Sequence, residues 1–251
     1  FFRDYLRHSK GEFAKGPFIL SDWQRIQIIE PLFGWKRKSD GLRKYQTAWI
    51  EVPKKQGKST MCSAIGAFLL IADREPGAEI YSAACDRQQA RIVFGQARSM
   101  IKSSPKLNAL CSISRDNIYC EKRDSFWRVL SKDSGTADGI NAHGIIFDEI
   151  HRQKSRDLWD VLDFASSSRR QPLKIVITTA GTYEPDSIYY ELHNYAKKIE
   201  AGIITDNPTW FSFILGADPS EDWTDRKVWK RVNPELGGAK KWESMEKDFA
   251  K

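Results

Sequence analysis

Residues Pro53-Lys54-Lys55-Gln56-Gly57-Lys58-Ser59-Thr60 decide how this chain is read. They follow a strand-like apolar stretch, 47–52, and open into a helix-like one, 61–72. A strand, a Gly-Lys-Ser loop and a helix in that order form a cradle for phosphate. Amides at the helix N-terminus bind phosphate oxygens, the lysine neutralises the β and γ phosphates, and the serine hydroxyl ligates Mg²⁺. On that pattern Lys54, Lys55, Gln56, Gly57, Lys58, Ser59 and Thr60 are candidate ATP-binding residues, with Lys58 also catalytic and Ser59 also a metal ligand. The pattern G-x-x-x-x-G-K-[ST] calls for glycine at position 52, where the chain has Val52. Taken alone, the loop also fits a basic surface turn.

A second stretch makes the first specific. In His143-Gly144-Ile145-Ile146-Phe147-Asp148-Glu149 an apolar run ends in two carboxylates. A buried parallel strand has this continuous apolar character, and ligands sit at its carboxyl end. Asp148 is the candidate Mg²⁺ carboxylate, acting through the ion's water shell. Glu149 is the candidate general base for an attacking water. An ordinary strand ending in a solvated acidic turn is the alternative, and the upstream phosphate loop weighs against it.

The chain has 251 residues and is 41% hydrophobic, enough for one large α/β domain or for one domain with an appendage. Its formal net charge of +7 permits a polyanionic partner without requiring one. Cys62, Cys85, Cys111 and Cys120 lack C-x-x-C or zinc-type spacing and read as reduced thiols. No signal peptide is expected and no apolar run is long enough to span a bilayer, so no membrane partner is expected. Since the first residue is Phe1 and not Met, either a fragment or the loss of disordered residues is expected.

Strand-like stretches at 79–84, 173–179 and 210–215 alternate with helical ones at 86–101, 156–168 and 186–200. Ser21 or Asp22 is a plausible helix cap, 34–45 is basic and loop-like, and 134–142 is a loop. Segments 117–120 and 125–130 read as a hairpin. The alternation implies an α/β fold with a mostly parallel central sheet flanked by helices. Residues 1–217 read as the core and 218–251 as a helical lid or linker.

Four segments together resemble one family: the loop at 53–60, then 81–90, 139–151 and 222–237. Their order is similar to that in the large terminase subunit of tailed bacteriophages, in its N-terminal ATPase domain. The resemblance implies a P-loop NTPase fold of the ASCE type and a Mg²⁺-dependent ATPase that powers packaging of double-stranded DNA. It implies a homo-oligomeric ring, a pentamer in the assembled motor, with the portal protein and the small terminase subunit as partners. It places the protein in the host cytoplasm, docked on the procapsid portal.

Residue roles follow from the same resemblance. Gln24 matches an adenine-recognising glutamine, whose amide can pair with adenine N6 and N7. Lys54 stands where many relatives carry arginine, and offers a point charge without the fork. Thr178, Thr179 and Gly181 match a motif that couples γ-phosphate loss to movement. Arg128, with Lys132 nearby, lies in the region that supplies a trans-acting arginine. Lys36-Arg37-Lys38 and Arg169-Arg170 are candidate DNA contacts that equally fit solvated loops. The residues after Asp222 are too few for the family's two-metal nuclease domain, so hydrolysis of ATP without DNA cleavage is expected. Glu235, Glu243, Glu246 and Asp248 read as helix-surface charges. The alternatives are a helicase-like translocase and a DNA-binding module with an inactive nucleotide fold.

Overall fold

The computed structural model describes residues 1–11, 13–130, 139–153, 155–182 and 184–250. Its centre is one eight-stranded sheet. In chain order the strands are β1 (Thr47–Glu51), β2 (Glu79–Ala84), β3 (Ser112–Ile113), β4 (Asn117–Cys120), β5 (Ser125–Val129), β6 (Ala142–Asp148), β7 (Leu173–Thr178) and β8 (Trp210–Ile214). Their spatial order is β3-β4-β5-β2-β6-β7-β1-β8. From β5 to β8 every pairing is parallel, and β3 and β4 extend the sheet antiparallel at one edge. β7 therefore lies between the phosphate-loop strand β1 and the acidic strand β6.

The central strands are apolar on both faces, and their side chains sort by the two-residue period of a strand. Ala48 and Ile50 of β1, Ile146 of β6, and Ile175 and Ile177 of β7 enter one core. The helices Lys58–Ile71 and Arg87–Lys102 cover that face, and the expected stripe Ala90, Val93, Phe94 and Ala97 is buried in it. Trp49, Ile145, Phe147 and Val176 point the other way, against Trp159 and Leu162 of helix Asp157–Ala165 and Tyr189 and Leu192 of helix Ile188–Glu200.

The hairpin expected at 117–130 forms, but β5 also pairs in parallel with β2. The hairpin is thus an extension of the main sheet. Helix Ile188–Glu200 starts two residues later than expected because Ser187 caps it, accepting from the Tyr190 amide at 3.2 Å. Residues 1–16 show no sequence period, yet Leu6 is fully buried and the rings of Phe1 and Phe2 pack against Phe68. Ser21 precedes the next helical turn, and its N–H donates back to Gln24 Oε1 at 3.3 Å. After residue 218 the chain carries two short helices, Arg226–Val232 and Trp242–Phe249.

At the amino ends of the strands, Arg43 is 1% exposed and donates to both carboxylate oxygens of Asp73. Asp73 also faces His143 Nε2 at 2.7 Å. This buried cluster ties the segment before β1 to the start of β6.

Candidate nucleotide-binding and hydrolysis site

Parallel register brings the functional segments to one rim. Glu51 stands opposite Thr178, Ile177 opposite Asp148, and Asp148 opposite Ala84. The carboxyl ends of β1, β2, β6 and β7 thus share one edge, where open α/β sheets bind ligands.

The loop explains its own departure from the pattern. The Val52 N–H donates to Thr178 O at 3.1 Å, so pairing with β7 continues past β1. Position 52 is still strand-like and has no use for glycine. Gly57 does need to be glycine: its φ is +75°, and an added Cβ would lie 3.0 Å from Gln24 Nε2. The fourteen-residue helix Lys58–Ile71 begins directly after it, aiming its free amides into the rim. Lys58 Nζ donates to Val52 O at 3.0 Å and Pro53 O at 3.2 Å, folded into its own loop. Burial lowers its pKa, and the carboxylates of Glu149 and Asp148 pull the other way. Lys54 and Lys55 are exposed, and Ser59 and Thr60 are half-buried in the first helical turn.

Asp148 and Glu149 are neighbours in sequence and opposites in environment. Asp148 is 1% exposed, accepts from Gln89 Nε2 at 3.0 Å through Oδ2, and has no partner for its buried Oδ1. Burial, with help from the Glu149 charge, pushes its carboxyl up to about 6. Glu149 takes a left-handed conformation, φ 55° and ψ 52°, and its N–H donates to Ile177 O at 2.8 Å. A non-glycine residue held there costs on the order of 1 kcal/mol, and the turn swings its carboxylate toward β7. That carboxylate faces His151 Nδ1 at 3.0 Å and the Thr179 hydroxyl at 3.5 Å. Burial raises its pKa, but the His151 hydrogen bond and the Lys58 charge outweigh this and hold it below the ordinary range.

Thr178 is fully buried; its hydroxyl donates to Thr179 O at 3.0 Å and meets His151 Nδ1 at 2.9 Å. With the threonine proton committed and Glu149 ionised, both neighbours of Nδ1 are acceptors, so Nδ1 carries the hydrogen. Gly181 is confined for a different reason: a Cβ there would lie 2.7 Å from the Tyr189 ring and 3.0 Å from His151 Cβ. Tyr189 in turn donates to Glu51 at 3.1 Å, where His193 and the Trp49 indole also bind. Gln89, His151, Glu51, Tyr189 and His193 were not among the expected site residues. Only His151 carried a local signal, two residues beyond the acidic pair.

Gln24 and Gln56 occupy positions different from a simple ligand role. The Gln24 amide accepts from Ser21 N and donates to Gln56 O, each at 3.3 Å, which leaves one N–H and one lone pair. It faces a cavity of 810 Å³, walled also by Phe18, Leu20, Gly57, Thr60 and Glu235. The Gln56 side chain is 0% exposed and turned away from the rim, donating to Asn233 Oδ1 at 3.3 Å and accepting from Glu235 N at 3.0 Å. Only its backbone remains for a phosphate. Glu235, expected as a surface charge, instead accepts the Trp23 indole N–H at 2.8 Å.

Arg128 lies on β5, two strands from β6, paired in register with Tyr81 and with its guanidinium 4.0 Å from the Phe126 ring centroid. The fold does not bring it to this chain's own rim. Lys132 falls outside the described residues. Among the described residues no group of three or more His, Cys, Asp or Glu side chains is placed to hold a metal alone. The orphaned Asp148 Oδ1 is still a fitting partner for Mg²⁺, which takes one or two carboxylates and completes its shell with water and phosphate. No helix among the described residues is long and apolar enough to cross a membrane.

A buried loop lysine at a helix start, an acidic pair on the strand beyond β7 and a hydroxyl-bearing end of β7 define a P-loop nucleoside triphosphatase. The model of the terminase large subunit ATPase domain matches residues 22–198, and the chain belongs to that family. It is 26% identical over 212 residues to the large terminase subunit of Enterobacteria phage HK97, spanning 81% of this chain and 39% of that protein. It is 32% identical over 100 residues to protein YmfN of Escherichia coli K12, 40% of this chain and 22% of the relative. The crystal structure of the HK97 large terminase matches the whole fold with a TM-score of 0.82 at 21% identity, this chain covering 50% of it. The large terminase ATPase domain of Thermus phage P74-26 matches with a TM-score of 0.56 at 19% identity, over 83% of this chain and 90% of that one.

Proposed function

We propose that this domain hydrolyses ATP to drive double-stranded DNA into a phage procapsid, and that it does so with Mg²⁺. The observation that carries the catalytic part is the split acidic pair: Asp148 buried with a free oxygen, and Glu149 turned out, ionised and held by His151. Two carboxyls in contrasting environments suit two roles.

The amides of 57–60 receive the phosphates, and Lys58 supplies positive charge where charge develops on the transferred group. Glu149 orients a water and takes its proton as the water oxygen bonds to the γ phosphorus. The bond to the β–γ bridging oxygen breaks, and ADP leaves with that electron pair. Mg²⁺ at Asp148 and Ser59 would neutralise charge on the β and γ oxygens. The 810 Å³ cavity beside Gly57 receives the base, with the remaining Gln24 donor and acceptor positioned for adenine. Thr178, Thr179 and Gly181, packed against Glu149 and His151, are the elements that respond to phosphate loss.

The family supports a homo-oligomeric ring on the portal in the host cytoplasm, together with the small subunit, and a trans-acting arginine for which Arg128 is the candidate. The test is steady-state ATP hydrolysis by the parent chain and by Glu149→Gln, with Mg²⁺ and with EDTA. Parent turnover lost in both the variant and the EDTA sample supports the reading. Undiminished turnover in E149Q would refute the assignment of the base.

A further inference from the structure

The rim just described uses only one end of the sheet. At the other end, the segment before β1 and the turn before β7 converge. Arg37 Nη2 donates to Arg170 O at 3.3 Å, and Gln46 Nε2 reaches the same carbonyl at 3.5 Å. Arg43 donates to Gln171 O at 2.9 Å and, through Asp73, anchors the turn that carries Arg74. Two basic clusters far apart in sequence thus become one surface.

The acids within that surface are committed to particular arginines. Asp40 is bound by Arg37, Asp73 by Arg43 and His143, and Glu75 by Arg169. Arg169 is itself spent, donating also to Asn141 O at 3.1 Å and Gly77 O at 2.6 Å, so of the Arg169-Arg170 pair only Arg170 is exposed. Lys36, Lys38, Arg74 and Arg170 are exposed, and no ion pair engages them among the described residues. Lys44 stands over the Trp35 and Tyr45 rings at 4.8 and 4.9 Å, and Trp35 is 53% exposed. Asp40, bound by Arg37, also feels the Arg170 charge. Cations outnumbering the local acids, interleaved with an aromatic face and fixed by a buried Arg–Asp–His cluster, form a polyanion surface.

We propose that this end of the domain, formed by Lys36, Lys38, Lys44, Arg74 and Arg170, docks the phosphate backbone of double-stranded DNA. The choice of DNA among polyanions rests on the packaging reading above. Contacts of this kind carry no base preference and weaken steeply with salt, which suits a cargo that must slide.

The experiment is fluorescence anisotropy of a random-sequence 30-base-pair duplex against the whole chain from 50 to 300 mM NaCl. Lys36→Gln/Lys38→Gln/Arg170→Gln is compared with Lys102→Gln/Arg115→Gln/Lys122→Gln, which removes equal charge from exposed positions elsewhere. The first variant is expected to lose on the order of 100-fold in affinity at 100 mM salt and about 3 units of salt slope. The second is expected to stay near the parent. Equal losses in both would show that net charge alone is read and would overturn the proposal, as would a parent without salt-dependent DNA binding. Thermal melts confirm folding of each variant. Binding of a fluorescent ATP analogue and ATP turnover, followed in parallel, separate failure of this surface from failure of the ATPase reading.

Discussion

His151 holds one hydrogen between two acceptors, the Glu149 carboxylate and the Thr178 hydroxyl. An N–H points well at only one of them at a time. Orientation of Glu149 and the state of the β7 end are therefore linked through a single side chain. His151→Ala is expected to lower kcat about tenfold or more with little change in KM, because Glu149 loses its orientation and not its charge. His151→Asn, which keeps a donor close to the Nδ1 position, is expected to recover most of that loss, and steady-state kinetics of both variants decides it. Asp148 predicts a trade of stability against activity. Its folded pKa, about 6, lies above its ordinary value, so the native state binds more protons than the unfolded chain between about pH 4 and 6. Stability therefore falls as pH rises through that window, and the buried charge is a net cost at pH 7. Asp148→Asn should raise stability by on the order of 2 kcal/mol at pH 7 while removing ATP turnover. The gain should fade as pH drops below 6, which melts at pH 4.5 and 7 would show.

Among the elements, β7 carries an oddity. Lys174 is buried in an otherwise apolar strand, with its ammonium 4.7 Å from the Trp159 ring centroid and paired to Asp163. Burial pulls its pKa down to about 8. The unfolded chain therefore binds more protons between about pH 8 and 10, and stability rises with pH across that window. Lys174→Met is expected to stabilise the fold by on the order of 1 kcal/mol at pH 7, with the advantage shrinking above pH 8, as thermal melts at pH 7 and 9.5 would report. The strands themselves were legible because β1, β2, β6 and β7 are nearly continuous apolar runs that stop at polar loops, and the helices because their apolar residues recur on one face. Loop 53–60 and the acidic pair were legible for the same reason: each follows an apolar run directly. Glu51 was hidden inside the β1 pattern, since its partners Tyr189 and His193 lie 138 and 142 residues away. Gln56 was read with the loop, yet its side chain answers to Asn233, 177 residues on. Periodicity reports which face a residue takes, and says nothing of such distant partners.

Taken whole, the molecule gathers its far ends at the phosphate loop. Helical turn 22–24, Gln56 and the 233–235 segment share one set of hydrogen bonds, and Glu235 also walls the 810 Å³ cavity beside Gly57. Nucleotide binding should therefore stiffen the C-terminal helices directly. Hydrogen exchange in Arg226–Val232 and Trp242–Phe249 is expected to slow when ATP is added. Gln56→Ala should abolish that slowing while leaving exchange in the central strands unchanged. A last consequence follows from β7 being bonded along both sides, to β1 and to β6. Its six residues, Leu173–Thr178, span about 17 Å and begin two positions after Gln171. A strand clamped on both edges cannot bend freely, so a displacement at Arg170 would reach Thr178 without passing through a hinge. Strain at one end of the sheet would then be felt at the other within a single chain, carried by backbone pairing alone.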